Sequence, residues 1–295
     1  MSSNRLSILM IVYNEADFVE YSIRAALPHV DDLVIVEGAF AETIDCGAEP
    51  RSTDETKEKI RLTAFKGLIK DEIGHGSFSF SKDLGDVYYI EANEKTDKDQ
   101  RNVGLEKIKK LNPNGWLLII DGDEIYTKEN FEMIRNFMNL MGKQNKKAAY
   151  FKSLTFVNDM EHYTEQEFPR LFRITPECKF VDDNYMEWKD ASWTLEHILK
   201  LPYLRYHHFA FCKSGLRFET KKKWWETRFP ERKDFEYDWY RDEKGEIWSP
   251  NHVIREYTGK LPEILKDHPL YPKEKEITNP HEKFHHKMTG KKCDE

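Results

Sequence analysis

Short apolar runs and amphipathic stretches alternate over the first 125 residues, the trace that a parallel α/β sheet leaves in a sequence. Residues 6–13 (LSILMIVY), interrupted only by Ser7, read as a buried first strand. Residues 16–27 then place Phe18, Val19, Ser22, Ile23 and Ala26 on one helical face, with Pro28 ending the helix. Residues 32–36 (DLVIV) form a second strand and residues 87–90 a third. The spacing of Val103, Leu105, Ile108 and Leu111 predicts a helix over 99–111. Residues 116–120 (WLLII) are a fourth strand, and 130–141 a further helix. Between the second strand and the helix that follows, residues 38–50 read as a long loop. After residue 125 the texture changes. Residues 148–157 and 168–174 read as aromatic-rich strands, and Trp193, Tyr203 and Tyr206 mark another β-leaning region. Residues 216–229 look helical, and from Pro230 onward the chain is charged, proline-punctuated and aperiodic. There is no internal repeat and no low-complexity block.

Composition narrows the class. Of 295 residues, 39% are hydrophobic and 13% aromatic, too many core formers for a disordered or fibrous chain. A formal net charge of −7 argues against non-specific nucleic-acid binding, which expects a basic balance. The apolar run at residues 6–13 is far below the roughly 20 residues needed to span a bilayer. No basic stretch precedes it and no small-residue cleavage site follows, so neither a transmembrane segment nor a signal peptide is expected. Cys46, Cys178, Cys212 and Cys293 show no C-x-x-C spacing, so neither a disulfide scaffold nor a zinc cage is expected, and a reducing cytoplasmic setting is the expectation.

The chemistry concentrates at residues 116–124, WLLIIDGDE. A fully apolar strand delivers two carboxylates to its carboxyl end, the edge where open α/β sheets bind ligands. In an extended chain a spacing of two points Asp121 and Asp123 to the same side, and Gly122 lets the backbone turn. Adjacent carboxylates repel unless a positive group lies between them, and a hard divalent cation bridging to phosphate oxygens answers that need. An isolated D-x-D is also compatible with a strand-end turn whose acids cap the next helix.

The surrounding pieces supply context. Ile11-Val12-Tyr13-Asn14-Glu15 closes the first strand and Val34-Ile35-Val36-Glu37 the second. Ser52-Thr53-Asp54-Glu55-Thr56 and Gln100-Arg101-Asn102-Val103-Gly104 open the helices that follow. With Asp-Gly-Asp, and with Pro169-Arg170-Leu171-Phe172-Arg173 and His207-His208-Phe209-Ala210-Phe211 downstream, the order resembles GT-A-fold glycosyltransferases of the family 2 type over about residues 1–225.

That resemblance implies an α/β, Rossmann-like GT-A fold: a central, mostly parallel sheet flanked by helices, a mixed acceptor half and an irregular C-terminal extension. The domain would span 1–229, with a nucleotide-sugar half (1–125) and an acceptor half (126–229), followed by a charged extension (230–295). It implies a nucleotide-diphosphate sugar donor, expected to be a UDP-sugar, a glycan or other hydroxyl acceptor, and inversion at the anomeric centre. Tyr13 and Glu15 would flank the nucleobase and ribose. Glu37 stands where the family usually carries an aspartate that contacts the base, and residues 38–51 interrupt the family's D-G-S-T-D turn. Arg101 would lie near the ribose or diphosphate. Asp123 is expected to ligate Mn2+ or Mg2+, with Asp121 on the ribose or on the metal through water.

Relatives carry the general base at the end of a short strand near residue 187, after a histidine that is Met186 here. Glu187 is the leading candidate, with Asp182 and Asp183 as rivals. The resemblance also implies a metal-ligating histidine in a His-aromatic-small-aromatic pattern, which His208 fits. Neighbours on a strand face opposite ways, so His207 is expected to pack or face water. Phe218, Trp225 and Phe229 share a helical side beside the basic run Lys221-Lys222-Lys223, which reads as core packing. His281, His285 and His286 read as an exposed tail. Two other functions stay open. A haloacid-dehalogenase-type phosphatase also uses D-x-D, but expects it after an early strand with Thr or Val two residues beyond the second aspartate, and here Glu124-Ile125-Tyr126 follows. The other is a sugar-nucleotide- or carbohydrate-binding protein without turnover.

Overall fold

The computed structural model describes residues 4–64, 77–78, 86–191, 193–194, 196–212, 240–241, 247–248 and 253–272. The expectations for residues 216–229, for the lysine run and for the C-terminal histidines lie outside them.

In chain order the elements are β1 (Leu6–Val12), α1 (Val19–Ala26), β2 (Asp32–Glu37), α2 (Ala41–Asp45), α3 (Thr56–Ala64), β3 (Ser77–Phe78), β4 (Asp86–Glu91), α4 (Asp97–Leu111), β5 (Trp116–Ile119), β6 (Glu124–Ile125) and α5 (Lys128–Lys143). The second half adds β7 (Ala148–Val157), β8 (His162–Arg173), β9 (Lys179–Asp182), β10 (Tyr185–Glu187), β11 (Ile198–Phe211), β12 (Tyr240–Arg241), β13 (Ile247–Trp248) and β14 (Arg255–Glu256).

One ten-stranded sheet organises the chain in the order β3-β4-β2-β1-β5-β8-β7-β11-β6, with β14 added to β8. The strands β4-β2-β1-β5 run parallel, and the apolar runs of β1, β2 and β5 are buried as a sheet covered on both faces requires. From β5 onward the pairing is mixed: β8 is antiparallel to β5 and β7, β11 is parallel to β7, and β6 is antiparallel to β11. The expected α/β architecture, a central sheet flanked by helices with a mixed second half, is what the structure shows. No helix among the described residues is long and apolar enough to cross a membrane.

Two expectations change. The stretch 38–50 is not a bare loop, because α2 folds within it. Of the stretch expected to be an irregular charged extension, residues 253–272 pack into the body of the fold. Leu261 and Leu265 are buried in one cluster with Phe18, Ile125, Phe156 and Phe209, an amphipathic content hidden by the surrounding charges. His268 stacks on Phe18 at 4.5 Å, accepts from Leu270 N at Nδ1 (3.1 Å) and approaches Asp17 O with Nε2 at 3.2 Å.

Helix α4 crosses β1 and β2 at close range, and Gly104 makes that possible. A Cβ there would lie 2.2 Å from Leu9 Cδ1 and 3.0 Å from Val36 Cγ2. The helix starts at Thr96, whose hydroxyl accepts from Asp99 N. Cap and glycine together set the height and depth at which Arg101, one turn in from the helix start, meets the sheet edge. Gly104→Ala is expected to cost about 1–3 kcal/mol through overpacking, read as a lowered denaturation midpoint; an unchanged midpoint would show that Leu9 yields freely.

Burial lowers the His268 pKa, an effect that hydrogen bonding to the Asp17 carbonyl only partly offsets. A depressed folded-state pKa stabilises fully above the unfolded value, about 6.5 for histidine, and that stability is lost as pH falls below it. Protection of segment 253–272 from hydrogen exchange should therefore decline as the pH drops below about 6.5. His268→Phe, which keeps the ring stack, should flatten that decline, and equal slopes in both proteins would refute it.

Candidate functional site

Strands β1, β2 and β5 end at one edge, and their following loops zip together there. Asn14 adopts φ 52°, a left-handed conformation asparagine tolerates, and its Oδ1 accepts from Thr53 N at 2.9 Å. Its own N–H donates to Ser52 Oγ at 3.0 Å, Glu15 N to Thr56 Oγ1 at 2.7 Å and Ala16 N to Asp54 Oδ2 at 3.2 Å. Glu37, fully buried at the end of β2, accepts from Ser52 N and Oγ at 2.7 and 2.6 Å and from the Tyr89 hydroxyl at 3.3 Å. The motif that residues 38–51 interrupt in sequence is thus closed again in space. Glu37 carries a structural load in doing so, holding Ser52 against the first loop. Tyr13, half-buried, donates its hydroxyl to Glu49 O at 2.9 Å.

The carboxylate segment is a turn, which corrects the extended-chain argument for Asp121 and Asp123. Glu124 N donates to Asp121 O at 3.0 Å, and Asp121 N returns a bond to Glu124 Oε2 at 3.3 Å. Gly122 is required by close approach: a Cβ there would come 3.0 Å from Val12 Cγ1 and 3.1 Å from Glu15 Cβ. The turn therefore presses against the Tyr13–Glu15 loop.

Two guanidiniums converge on Asp121. Arg101 Nη2 from α4 reaches Oδ1 at 3.3 Å, while Arg101 also grips Asp97 one turn earlier. Arg170 Nη2 from β8 reaches Oδ2 at 3.2 Å and also donates to Glu124 Oε1, while its Nε bonds the Tyr206 hydroxyl at 3.1 Å and its Nη1 bonds Asn184 Oδ1 at 3.3 Å. A β-bulge aims Arg170. Ala149 pairs with Leu171 and Tyr150 with Pro169, so Arg170 is the extra residue between two ladder partners. Pro169, which lacks an N–H, suits such a break. Arg170 and Glu124 lie within the sequence motifs without an assigned role there; β8 carries arginine at both 170 and 173, and nothing local distinguishes the one that enters the site.

The charges set one another. Burial works against the charge on Arg101, but Asp97 and Asp121 outweigh it and raise its pKa. Burial likewise opposes ionisation of Asp121, yet Arg101 and Arg170 hold its pKa below the usual carboxylate value. Glu124 is pushed up to about 8 by burial, against the pull of Arg170 and with the push of Asp121 and Asp123. Asp97 rises to about 6 by burial, opposed by Arg101 and assisted by Asp183 and Asp121.

His208 comes to Asp123 by strand register. The two-residue β6 pairs His207 with Ile125 and His208 with Glu124, and Phe209 N donates to Asp123 O at 2.9 Å. His208 Nε2 lies 3.4 Å from Asp123 Oδ1. His207 turns the other way, into the core, with Nε2 2.8 Å from the Tyr257 hydroxyl. Two ligands each about 2.1 Å from one cation stand roughly 3–3.5 Å apart, so the Asp123–His208 spacing fits shared ligation. Among the described residues no group of three His, Cys, Asp or Glu side chains is placed to hold a metal. Asp121 is committed to guanidiniums.

The β9–β10 hairpin brings its turn, not its far end, to this edge. Asn184 bonds Arg170, and the charge of Asp183 is felt at Asp97. Glu187 sits on the exposed side of β10, 3.1 Å from Lys179 Nζ. Asp182 Oδ1 accepts from Asp183 N at 2.6 Å.

Removing Arg170 leaves Glu124 buried without its cation. Arg170→Met is expected to cost about 3–5 kcal/mol at pH 8. Adding Glu124→Gln to that variant should restore part of the loss, measured by denaturant unfolding. A double variant no more stable than Arg170→Met would contradict the charge-matching account.

No protein-family model matches the chain, and no curated protein matches it in sequence. Among solved structures it is similar to residues 1–349 of TarS from S. aureus, with a TM-score of 0.39 and 13% identity over 77% of this chain and 72% of that one. A structure of the same TarS segment in complex with UDP aligns at a TM-score of 0.31 and 16% identity, over 52% of this chain and 36% of that one. A longer S. aureus TarS chain aligns at 0.29 and 15%, over 52% of this chain and 22% of that one.

Proposed function

We propose that the protein transfers a sugar from a nucleotide-diphosphate sugar, a UDP-sugar by its resemblance, to an acceptor hydroxyl, with a divalent cation and with inversion. The observation that carries this reading is the Asp121–Glu124 turn at the carboxyl end of β5, with His208 facing Asp123 on one side and Arg101 and Arg170 on the other. Charge balance favours a cation-borne substrate. Both guanidiniums are already faced by Asp97, Asp121 and Glu124, with Asp123 beside them. A polyanionic diphosphate entering this edge alone would meet little unspent positive charge.

A bound divalent cation would supply Lewis-acid stabilisation of the departing diphosphate. Asp123 and His208 would hold it. Arg101 keeps one buried donor, Nη1, without a hydrogen-bond partner, which suits a phosphate or ribose oxygen. The loops at Tyr13–Glu15 and Ser52–Thr56 would form the nucleoside side, with Glu37 beneath them as their anchor. For proton removal from the acceptor, the hairpin geometry favours Asp183 over Glu187, because the turn faces the arginines while Glu187 pairs with Lys179. A phosphatase reading fares worse: both oxygens of Asp121, which would be its nucleophile, are engaged by guanidiniums.

The test is thermal shift with UDP, GDP and ADP, with and without Mn2+. A ligand at 100 times its Kd adds about 2.7 kcal/mol of stability. A nucleotide shift that depends on Mn2+ and disappears in Asp123→Ala is expected; no nucleotide shift under any condition would overturn the proposal. With the donor then identified, Asp183→Asn should lower kcat by about 10²–10⁴-fold and Glu187→Gln should leave it near wild type. The reverse pattern would return the base to Glu187.

A further inference from the structure

Segment 253–272 lies far along the chain from every residue of the carboxylate site, yet it encloses the strand that carries His208. Strand β14 adds Arg255 and Glu256 to β8 opposite Tyr163 and His162, and Tyr257 N donates to Glu161 O at 2.6 Å. The Tyr257 ring stands edge-on to His207 at 5.7 Å, to Phe156 at 5.1 Å and to Tyr163 at 5.7 Å. Its hydroxyl lies 3.0 Å from Lys260 O and 2.8 Å from His207 Nε2, hydrogen-bonding to both. The His207 ring also meets the Ile125 backbone, and Tyr257 is the side chain that hydrogen-bonds to it. At its other end the segment lays His268 on Phe18.

Between those two anchors runs an unbroken pile of rings. His268 stacks on Phe18 at 4.5 Å, Phe18 on Phe209 at 4.8 Å, Phe209 on Phe156 at 4.9 Å and Phe156 on His207 at 5.8 Å. Both neighbours of His208 in β11, His207 and Phe209, belong to that pile, whereas His208 points the opposite way. The ladder that presents His208 to the carboxylate turn has only two residue pairs, on the edge strand β6, and β11 shifts register against β7 immediately afterwards. So short a ladder beside an irregularity does not by itself fix a side chain to a few tenths of an ångström.

We infer that segment 253–272 is a clamp for the cation site, with Tyr257 as a positioning residue that acts through His207 and the ring pile on His208. This rests on the reading of Asp123 and His208 as cation ligands. Outer-shell groups that orient metal-ligating side chains commonly change metal affinity about 10–100-fold when lost. Through one intervening residue, the lower end of that range is expected.

The test is Mn2+ titrated into the full chain in the presence of UDP, against a protein-free UDP control, with free Mn2+ read by electron paramagnetic resonance. Tyr257→Phe keeps the ring and removes the hydroxyl. It should weaken Mn2+ binding about tenfold relative to wild type, and in a His208→Ala background the same change should have no effect. Histidine side-chain ¹⁵N–¹H spectra, recorded without metal, should show both the His207 and the His208 signals displaced by Tyr257→Phe. Mn2+ affinity equal to wild type in Tyr257→Phe overturns the clamp while leaving the cation site standing. An equal loss with and without His208 overturns it too, because it marks a general loosening. Failure of the wild-type chain to bind Mn2+ overturns the cation reading, and the clamp with it.

Discussion

A buried carboxylate stays ionised only where a cation or a set of donors stands against it, and this chain places three carboxylates within four residues at the carboxyl end of β5. Arg170 is the group that makes this arrangement tenable. Its guanidinium touches Asp121 and Glu124 at once, its Nε holds Tyr206, and its remaining arm reaches the hairpin at Asn184. The carboxylate turn, the sheet and the β9–β10 hairpin are joined through one side chain. Arg101 completes the enclosure from the helix side, at a depth set by the absence of a side chain at Gly104. The structure thus commits both guanidiniums to protein carboxylates.

The division of labour along the sheet follows from strand direction. The parallel half gathers loop ends at one edge, because every parallel strand terminates there. The antiparallel half brings in side chains from strands running both ways: Arg170 by a bulge in β8, and His208 by the β6 ladder. Parallel geometry makes the cradle and mixed geometry equips it. Among the described residues, segment 253–272 packs away from that edge. It adds ring packing behind the strand that carries the histidine.

Much of this was legible in the sequence for a plain reason. All-apolar strands such as WLLI and DLVIV declare burial on both faces, and acids placed directly after them must lie at the sheet edge. The opposite facing of His207 and His208 follows from strand alternation, whereas a histidine near Asp123 was implied only by the resemblance, and it is the β6 ladder that sets His208 beside that residue. Less legible was anything that depends on irregularity. The bulge that aims Arg170 inserts a single residue and leaves hydrophobic periodicity intact. The closure of Glu37 onto Ser52 spans an insertion whose path no local pattern dictates. The choice among Asp182, Asp183 and Glu187 turns on which end of a short hairpin faces the arginines.

By itself, then, the sequence determined the strands, the helices and the edge at which the acidic residues gather, because hydrophobic periodicity and strand-end position are local properties. Tertiary structure decided the charge state of those acids, since Asp121 is held ionised by guanidiniums 20 and 49 positions away and Glu124 is raised by the burial that the fold imposes on it. It also decided that residues 253–272 contribute Leu261 and Leu265 to the core. Their few apolar side chains are spaced too irregularly to announce an element, and they find their place only because β11, β7 and α1 present a matching stack of rings.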